Sequence, residues 1–404
     1  VVQAEAFTAV RATWDETPAK LKPLLDRNLC LGINAMVYHV YTHNPWLDRQ
    51  PGMTLDGIGN FFQRDNTWWK EMKAFNDYVS SCQALLQKGR PVVDIAVYTG
   101  DEVPRRALLP ERLVSSLPGL FGPELVEREK ARLLNEGQPI EVSPVGVYHT
   151  ANMTKADMFT NPLHGYKYDS FNHDALKGAK VDSGELVTAG GMRYKVLVVP
   201  QPHKLNPNNI NDIREKIDEL KCQGLKVIET AWTDGDLCAL ELSRDVTLPE
   251  GVDFCHRQTK DEDIYFLANL TDTIISFSPV FRAHRTHSYL YSPLTSKMHD
   301  FNGAITLNPY ESVFVLMTEE KQWTEPQINS LSCDIVPLDD IWRITFEKTG
   351  KNIVTKELFN WAASDDPVIR YYSGRATYKT SFDLSSSVLR GQRLLNLGAV
   401  KDIA

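Results

Sequence analysis

The opening ten residues, Val1-Val2-Gln3-Ala4-Glu5-Ala6-Phe7-Thr8-Ala9-Val10, constrain the fold more than any other stretch. They read as a buried β-strand that runs into a loop, with one carboxylate, Glu5, where the apolar residues give way. Asp15-Glu16-Thr17-Pro18 then opens a helix with proline in its first turn. Leu21, Leu24, Leu25 and Leu29 follow at helical spacing, and Gly32 stops it. Ile33–Tyr41 is a second strand, almost continuously apolar, as parallel strands buried on both faces are. Strand, helix, strand, with polar chemistry confined to the C-terminal ends of the strands, is how a (β/α) barrel presents a site. On this reading the N-terminal region is the last part of a catalytic barrel.

Thr42 to Asp65 is a long loop carrying His43, Asn44, Trp46, Gln63 and Arg64, with Gly52, Gly57 and Gly59 permitting tight turns. Loops of this length in compact domains are commonly functional. A helix is predicted from Asn66 to Lys88, with Trp69, Met72, Phe75, Tyr78, Val79, Cys82, Leu85 and Leu86 on one apolar stripe, as an outer helix of the barrel would have.

Residues 91–240 alternate strands and helices: strands at Val92–Tyr98, Tyr194–Pro200 and Leu225–Glu229, helices at Pro123–Asn135 and Pro207–Gln223, and a hairpin at Lys180–Tyr194. The pattern predicts a flavodoxin-like open parallel α/β domain. No GxGxxG phosphate loop is present, which points away from nucleotide binding. From Gly251 the period changes to two. Ile264–Asn269, Ile274–Arg282, Ser288–Tyr291 and Ala304–Met317 predict a small antiparallel β-sandwich over 241–325. Trp342–Phe346, Ser373–Leu384 and Arg393–Leu397 read as the beginning of a further, jelly-roll-like β-sandwich in 326–404.

A chain of 404 residues exceeds one ordinary core and implies two to four domains. Its net charge of −8 and its lack of basic runs longer than dipeptides such as Arg105-Arg106 argue against a nucleic-acid partner. No apolar segment approaches the length of a membrane span, and no signal peptide is visible. Both ends read as cut, so a secretion signal could lie upstream. Cys30, Cys82, Cys222, Cys238, Cys255 and Cys333 are scattered without CxxC or zinc-finger spacing, and Cys30 and Cys82 read as small buried hydrophobes.

Hydrolysis of a glycosidic bond usually takes two carboxylates held rigidly on either side of the anomeric carbon, which a barrel supplies from the ends of different strands. Glu5 is placed for one of them; a glutamate paired with an arginine, or one left exposed at a strand end, fits the same pattern. His39 and His43 could donate hydrogen bonds to sugar hydroxyls, or be satisfied core and loop histidines. Trp46 offers an aromatic face for the C–H side of a pyranose, whereas Trp69 reads as helix core. Asp48, Asp56 and Asp65 read as turn or cap residues. No GxSxG elbow supports serine-hydrolase chemistry.

Several stretches together resemble the α-L-rhamnosidases of glycoside hydrolase family 106. They are Ala4-Glu5-Ala6-Phe7-Thr8, Tyr38-His39-Val40-Tyr41-Thr42-His43-Asn44-Pro45-Trp46, Pro51-Gly52-Met53 and Phe62-Gln63-Arg64-Asp65-Asn66-Thr67-Trp68-Trp69, followed by Gly165–Asp169, Gly191–Pro200 and Tyr372–Tyr378. The resemblance implies an inverting, calcium-assisted hydrolase that removes terminal α-L-rhamnose from pectin-type plant polysaccharides. Residues 1–90 would then be the last two β/α units of a (β/α)8 barrel. Glu5 would be the general base, and His39, His43, Asn44, Trp46 and Arg64 would line the sugar site. It also implies a periplasmic or extracellular enzyme whose general acid and calcium ligands lie upstream of Val1, so that these residues alone are expected to be inactive. Two rivals remain: a retaining β-galactosidase-like glycosidase with Glu5 as nucleophile, and a noncatalytic carbohydrate-binding or scaffold protein.

Overall fold

The structure is a computed structural model and describes residues 1–8, 16–49, 53–55, 59–98, 163–199, 210–229, 234–325 and 341–383. The expected helix at 123–135, the strand at 393–397 and Cys333 lie outside the described residues. Contacts divide the chain into two compact units, residues 1–327 and 328–402. The chain is a mixed α/β protein with seven sheets among the described residues.

Strand β1 (Gln3–Ala6) pairs in parallel with β2 (Ala35–Tyr38), both shorter than the apolar runs suggested. Phe7, at φ 65°, takes the chain out of extended geometry and ends β1. Between them runs α1 (Pro18–Cys30), with Thr17 at the N-cap position and Pro18 supplying a helical φ at the first turn. The second helix, α2 (Met72–Leu86), begins later than expected, because Trp69–Glu71 forms a separate 3₁₀ turn. That turn separates the environments of the neighbouring tryptophans. Trp68 is fully buried and donates its indole N–H to Glu16 O at 2.8 Å, whereas Trp69, expected in the helix core, is 38% exposed.

Alternation sends Ala6, Met36 and Tyr38 toward the helices and Gln3, Glu5 and Val37 to the opposite, uncovered face. One side chain from α2 and one from the turn before β2 complete the backbone hydrogen bonding here. Gln83 Oε1 accepts Met36 N–H at 2.7 Å, and Asn34, buried, accepts Val2 N–H and donates to Leu86 O at 2.8 Å.

The other side of α1 and α2 packs on a six-stranded antiparallel sheet. Its order is β17 (Lys297–Asp300), β16 (His287–Ser292), β19 (Ser312–Thr318), β13 (Glu262–Asn269), β12 (Val252–Gln258) and β3 (Arg90–Pro91). Leu21, Leu25, Leu29, Phe75, Tyr78 and Cys82 meet Cys255, Ile264, Phe266 and Phe314 in one core. The opposite sheet face buries Phe254, Tyr265, Leu267, Val313 and Val315 against Phe281, Ile305 and Leu307. Two runs read as single strands are each split, into Ile275–Phe277 and Val280–Phe281, and into Ile305–Leu307 and Ser312–Thr318. Pro279 and Pro309 sit at the breaks, where a missing N–H interrupts a ladder.

A four-stranded parallel sheet contains β4 (Ile95–Tyr98), β5 (Tyr168–Phe171), β9 (Val196–Val198) and β10 (Lys226–Ile228), in the order β10-β9-β4-β5. Its two central strands, β4 and β9, are apolar without alternation because both faces are buried, whereas the edge strand β5 alternates exposed with half-buried residues. Ala96, Tyr98 and Leu197 pack on Ile213, Ile217 and Leu220 of the helix Ile210–Cys222, and Ile95, Val97 and Val196 on Leu237 and Leu242. The hairpin expected over Lys180–Tyr194 is a three-stranded antiparallel meander. The second unit holds β20 (Trp342–Phe346) between β21 (Lys351–Thr355) and β22 (Ala376–Lys379), with Ile344 and Phe346 buried against Ile369, Trp361 and Tyr372.

Two buried polar systems fix the layers of the first unit. In one, Asp26, 1% exposed, accepts from Lys22 Nζ at 2.6 Å and from the Tyr78 hydroxyl. Lys22 also donates to Tyr310 O at 2.8 Å and Ser312 Oγ at 3.0 Å, and Tyr78 OH lies 2.6 Å from Ser312 Oγ. Burial and the adjacent Asp26 carboxylate hold the Tyr78 phenol well above its usual range, so it remains a donor. In the other, His256 lies between two carboxylates, Nδ1 at 2.8 Å from Asp245 and Nε2 at 3.0 Å from Asp263. Arg282 bridges Asp245 (3.4 Å) to Asp94 (2.5 Å), Lys195 holds Asp94 at 3.0 Å, and Arg285 holds Asp263 at 2.7 Å.

Asp26→Ala leaves the Lys22 ammonium without its carboxylate and is expected to cost about 3–5 kcal/mol in urea unfolding. A loss under about 1 kcal/mol would show that the cluster does not hold the layers together. Burial lowers the His256 pKa, but its hydrogen bonds to Asp245 and Asp263, and their negative charges, outweigh it and leave a net rise above the ordinary value. Its contribution to stability is therefore complete below about pH 6.5 and is lost as pH rises through the folded pKa. Asp263 is burdened by burial but held down to about 2 by His256, Arg285 and Gln258, so its contribution disappears only as pH falls through that value. Urea midpoints measured across pH should decline above about 6.5 in wild type and less in His256→Gln; equal slopes would contradict the assignment.

Candidate functional site

The parallel register places the candidate residues at one end of β1–β2. Glu5 lies opposite Val37, Ala6 opposite Tyr38, and His39 N–H donates to Ala6 O at 2.9 Å. Glu5 and His39 are thus near the C-terminal ends of neighbouring parallel strands. By alternation both belong to the face that the helices do not cover, with α-carbons roughly 8 Å apart from strand spacing and rise. Glu5 is solvent-exposed, and its Oε1 accepts from Thr8 Oγ1. The sugar pocket expected around it is not enclosed by the described residues, because one side of the strand pair has no neighbouring layer.

His39 is half-buried. Its backbone is tied to the far end of the long loop: Asn60 N–H donates to His39 O at 3.0 Å, Val40 N–H to Asn60 O at 2.8 Å and Phe62 N–H to Val40 O at 3.0 Å. The His39–Val40 peptide is cis. Its Nδ1 is buried with no hydrogen-bond partner among the described residues, as is Nδ2 of Asn60.

Asn44, Trp46 and Arg64 come together in the loop beyond β2, and two of them work as braces. Asn44, 4% exposed, donates to Asp65 and accepts Trp46 N–H at 3.2 Å. Arg64 donates to Asn44 O at 2.5 Å and Trp46 O at 2.8 Å. Gln63, 1% exposed, receives Thr42 Oγ1 at 2.9 Å and donates to Met53 O at 3.2 Å. These bonds leave Trp46 presented at 40% exposure, with the Arg49 guanidinium 5.1 Å from its ring centroid. His43 is exposed on the same loop. Sequence reasoning missed Asp65 as the partner of Asn44, and missed the way Gly59-Asn60 clasps His39; the glycines of the loop were the available signal.

Among the described residues no three histidine, cysteine, aspartate or glutamate side chains converge into a group able to hold a metal ion. No described helix is long and apolar enough to cross a membrane.

Residues 1–138 match the α-L-rhamnosidase family model of glycoside hydrolase family 106, in accord with the resemblance read from the THNPW and FQRDNTWW stretches. A curated protein of Formosa agariphila that carries the name of a β-glucuronidase is 28% identical over 307 residues, covering 67% of this chain and 22% of its own. The structure of a rhamnosidase from Novosphingobium sp. PP1Y aligns with a TM-score of 0.65 and 24% identity over 96% of this chain and 38% of its own. The chain thus spans about a fifth of the curated relative and under two fifths of the solved rhamnosidase. Residues 1–138 are thus similar to the α-L-rhamnosidase family, and the fold of the chain is similar to part of a solved rhamnosidase.

The braces have a local consequence. Arg64→Ala is expected to speed amide exchange at Trp46 about tenfold while global stability moves by less than about 1 kcal/mol. Unchanged exchange would show that the guanidinium does not hold the loop.

Proposed function

We propose that this chain carries the general-base side of an inverting exo-α-L-rhamnosidase acting on pectin-type plant polysaccharides. The observation that carries the reading is the parallel register, which puts Glu5 and His39 at the C-terminal ends of adjacent strands and on the same uncovered face. Helices on only one side of a parallel strand pair are what two units of a (β/α)8 barrel provide, since the barrel interior covers the other side. The family match over residues 1–138 supports the same reading.

In the proposed reaction the Glu5 carboxylate takes a proton from water as the water attacks the anomeric carbon of a terminal α-L-rhamnose. A second carboxylic acid, on a strand outside these residues, protonates the departing oxygen. Inversion places the two carboxyl groups about 6.5–9.5 Å apart, leaving room for the water, whereas a retaining enzyme closes that gap to about 5–5.5 Å. His39 and His43 donate to sugar hydroxyls. Trp46 offers the apolar face on which the sugar rests, and Asn44 and Arg64 set the loop that presents it. Calcium enters the proposal only as an ion held by residues outside those described, and no step depends on it. Export to the periplasm or the extracellular space completes the proposal, since polymeric pectin is met there.

Glu5→Gln in the complete protein should lower turnover of an aryl α-L-rhamnoside by about 10²–10⁴-fold while rhamnose binding persists. Retained turnover would remove Glu5 from the chemistry. Hydrolysis of an aryl β-D-glucuronide, with the rhamnoside left intact, would replace the substrate.

A further inference from the structure

We infer that Gly59 is a positioning residue that acts through His39, the lack of a side chain at 59 setting where the imidazole stands relative to Glu5. The inference rests on the functional reading above. A ligand or catalytic histidine is usually oriented by a hydrogen bond to its second ring nitrogen. His39 has no such bond: its Nδ1 is buried and unpartnered among the described residues. Its backbone is fixed, by His39 N–H to Ala6 O at 2.9 Å on one side and Asn60 N–H to His39 O at 3.0 Å on the other. Among the described residues what confines the ring is packing, and Gly59 is the surface it packs on.

A Cβ at position 59 would lie 2.7 Å from His39 Nδ1, 3.1 Å from Cε1 and 3.0 Å from Val40 Cγ1. The φ of +93° at Gly59 independently favours glycine. The ring cannot accommodate a methyl group there without turning or retreating. Because Nδ1 is the buried nitrogen, such a movement changes what Nε2 offers to a sugar bound on the Glu5 face.

The chain supplies its own control. Gly32 has the same φ, +93°, but a Cβ there meets nothing within 4 Å. Gly32→Ala therefore carries the backbone strain without the contact. In the complete protein, Gly59→Ala should lower kcat for an aryl α-L-rhamnoside about 10–100-fold with KM changed less than about twofold, whereas Gly32→Ala changes neither by more than about twofold. In a His39→Ala background, adding Gly59→Ala should cost less than about a further twofold, since the clashing ring is gone. Equal losses in the two glycine variants, or a full additional loss in the His39→Ala background, would overturn the inference.

Imidazole 1H–15N spectra give a readout independent of turnover. The His39 signals should move in Gly59→Ala and stay in Gly32→Ala, and unmoved signals in both would contradict the proposal. If wild type does not cleave rhamnosides, the functional reading fails while these spectra still decide the role of Gly59. If Gly59→Ala does not fold, recovery of folding in Gly59→Ala/His39→Ala supports the contact, and failure of both variants rejects it.

Discussion

The buried Asp26 carboxylate is the constraint on which the first unit depends. It sits at 1% exposure on the face of α1 that also carries Leu21, Leu25 and Leu29. A charge so placed is tolerated only with partners close by. Lys22 comes from its own helix and Tyr78 from α2; both reach Ser312 at the start of β19, and Lys22 also reaches the Tyr310 carbonyl just before it. One cluster thus fixes the spacing of two helices and the sheet beneath them. The surrounding apolar contacts stabilise burial without specifying register, whereas hydrogen bonds to particular carbonyls and hydroxyls do specify it.

The strand pair bearing Glu5 and His39 hangs from that helix layer. Met36, Tyr38 and Phe7 pack onto the helices, and Gln83 and Asn34 complete the backbone hydrogen bonding of the strands. The helices therefore position the candidate site from behind, while the face carrying Glu5 and Val37 receives no layer from the described residues. Farther along the chain, the Lys195–Asp94–Arg282–Asp245–His256–Asp263–Arg285 series joins the four-stranded parallel sheet to the six-stranded antiparallel one. Charge pairing rather than a shared apolar core makes that join, consistent with two modules that fold around their own cores.

Local periodicity carried much of the fold. The Leu21–Leu25–Leu29 stripe and the proline at its head announced α1, and the apolar run Val196-Leu197-Val198 announced a strand buried on both faces. The order of the sheets, with β3 at the edge of a sheet otherwise built from residues 252–318, was not legible, because pairing over that separation leaves no local pattern. Trp68 and Trp69 illustrate the limit: adjacent aromatics differ only by where a 3₁₀ turn hands over to a helix. In the site, Glu5, His39 and the aromatic loop could be singled out as residue types at strand ends. The brace roles of Asn44, Arg64 and Gln63, and the fit of His39 on Gly59, depend on which carbonyl or ring approaches which side chain.

A glutamate that activates water and a glutamate that attacks sugar carbon differ in one observable, the configuration of the first product. The most direct measurement is a time-resolved proton NMR spectrum of the complete protein cleaving an α-L-rhamnoside, recorded before mutarotation. The account predicts that β-L-rhamnose appears first and equilibrates afterwards. Initial release of α-L-rhamnose would make the reaction retaining and contradict the role given to Glu5.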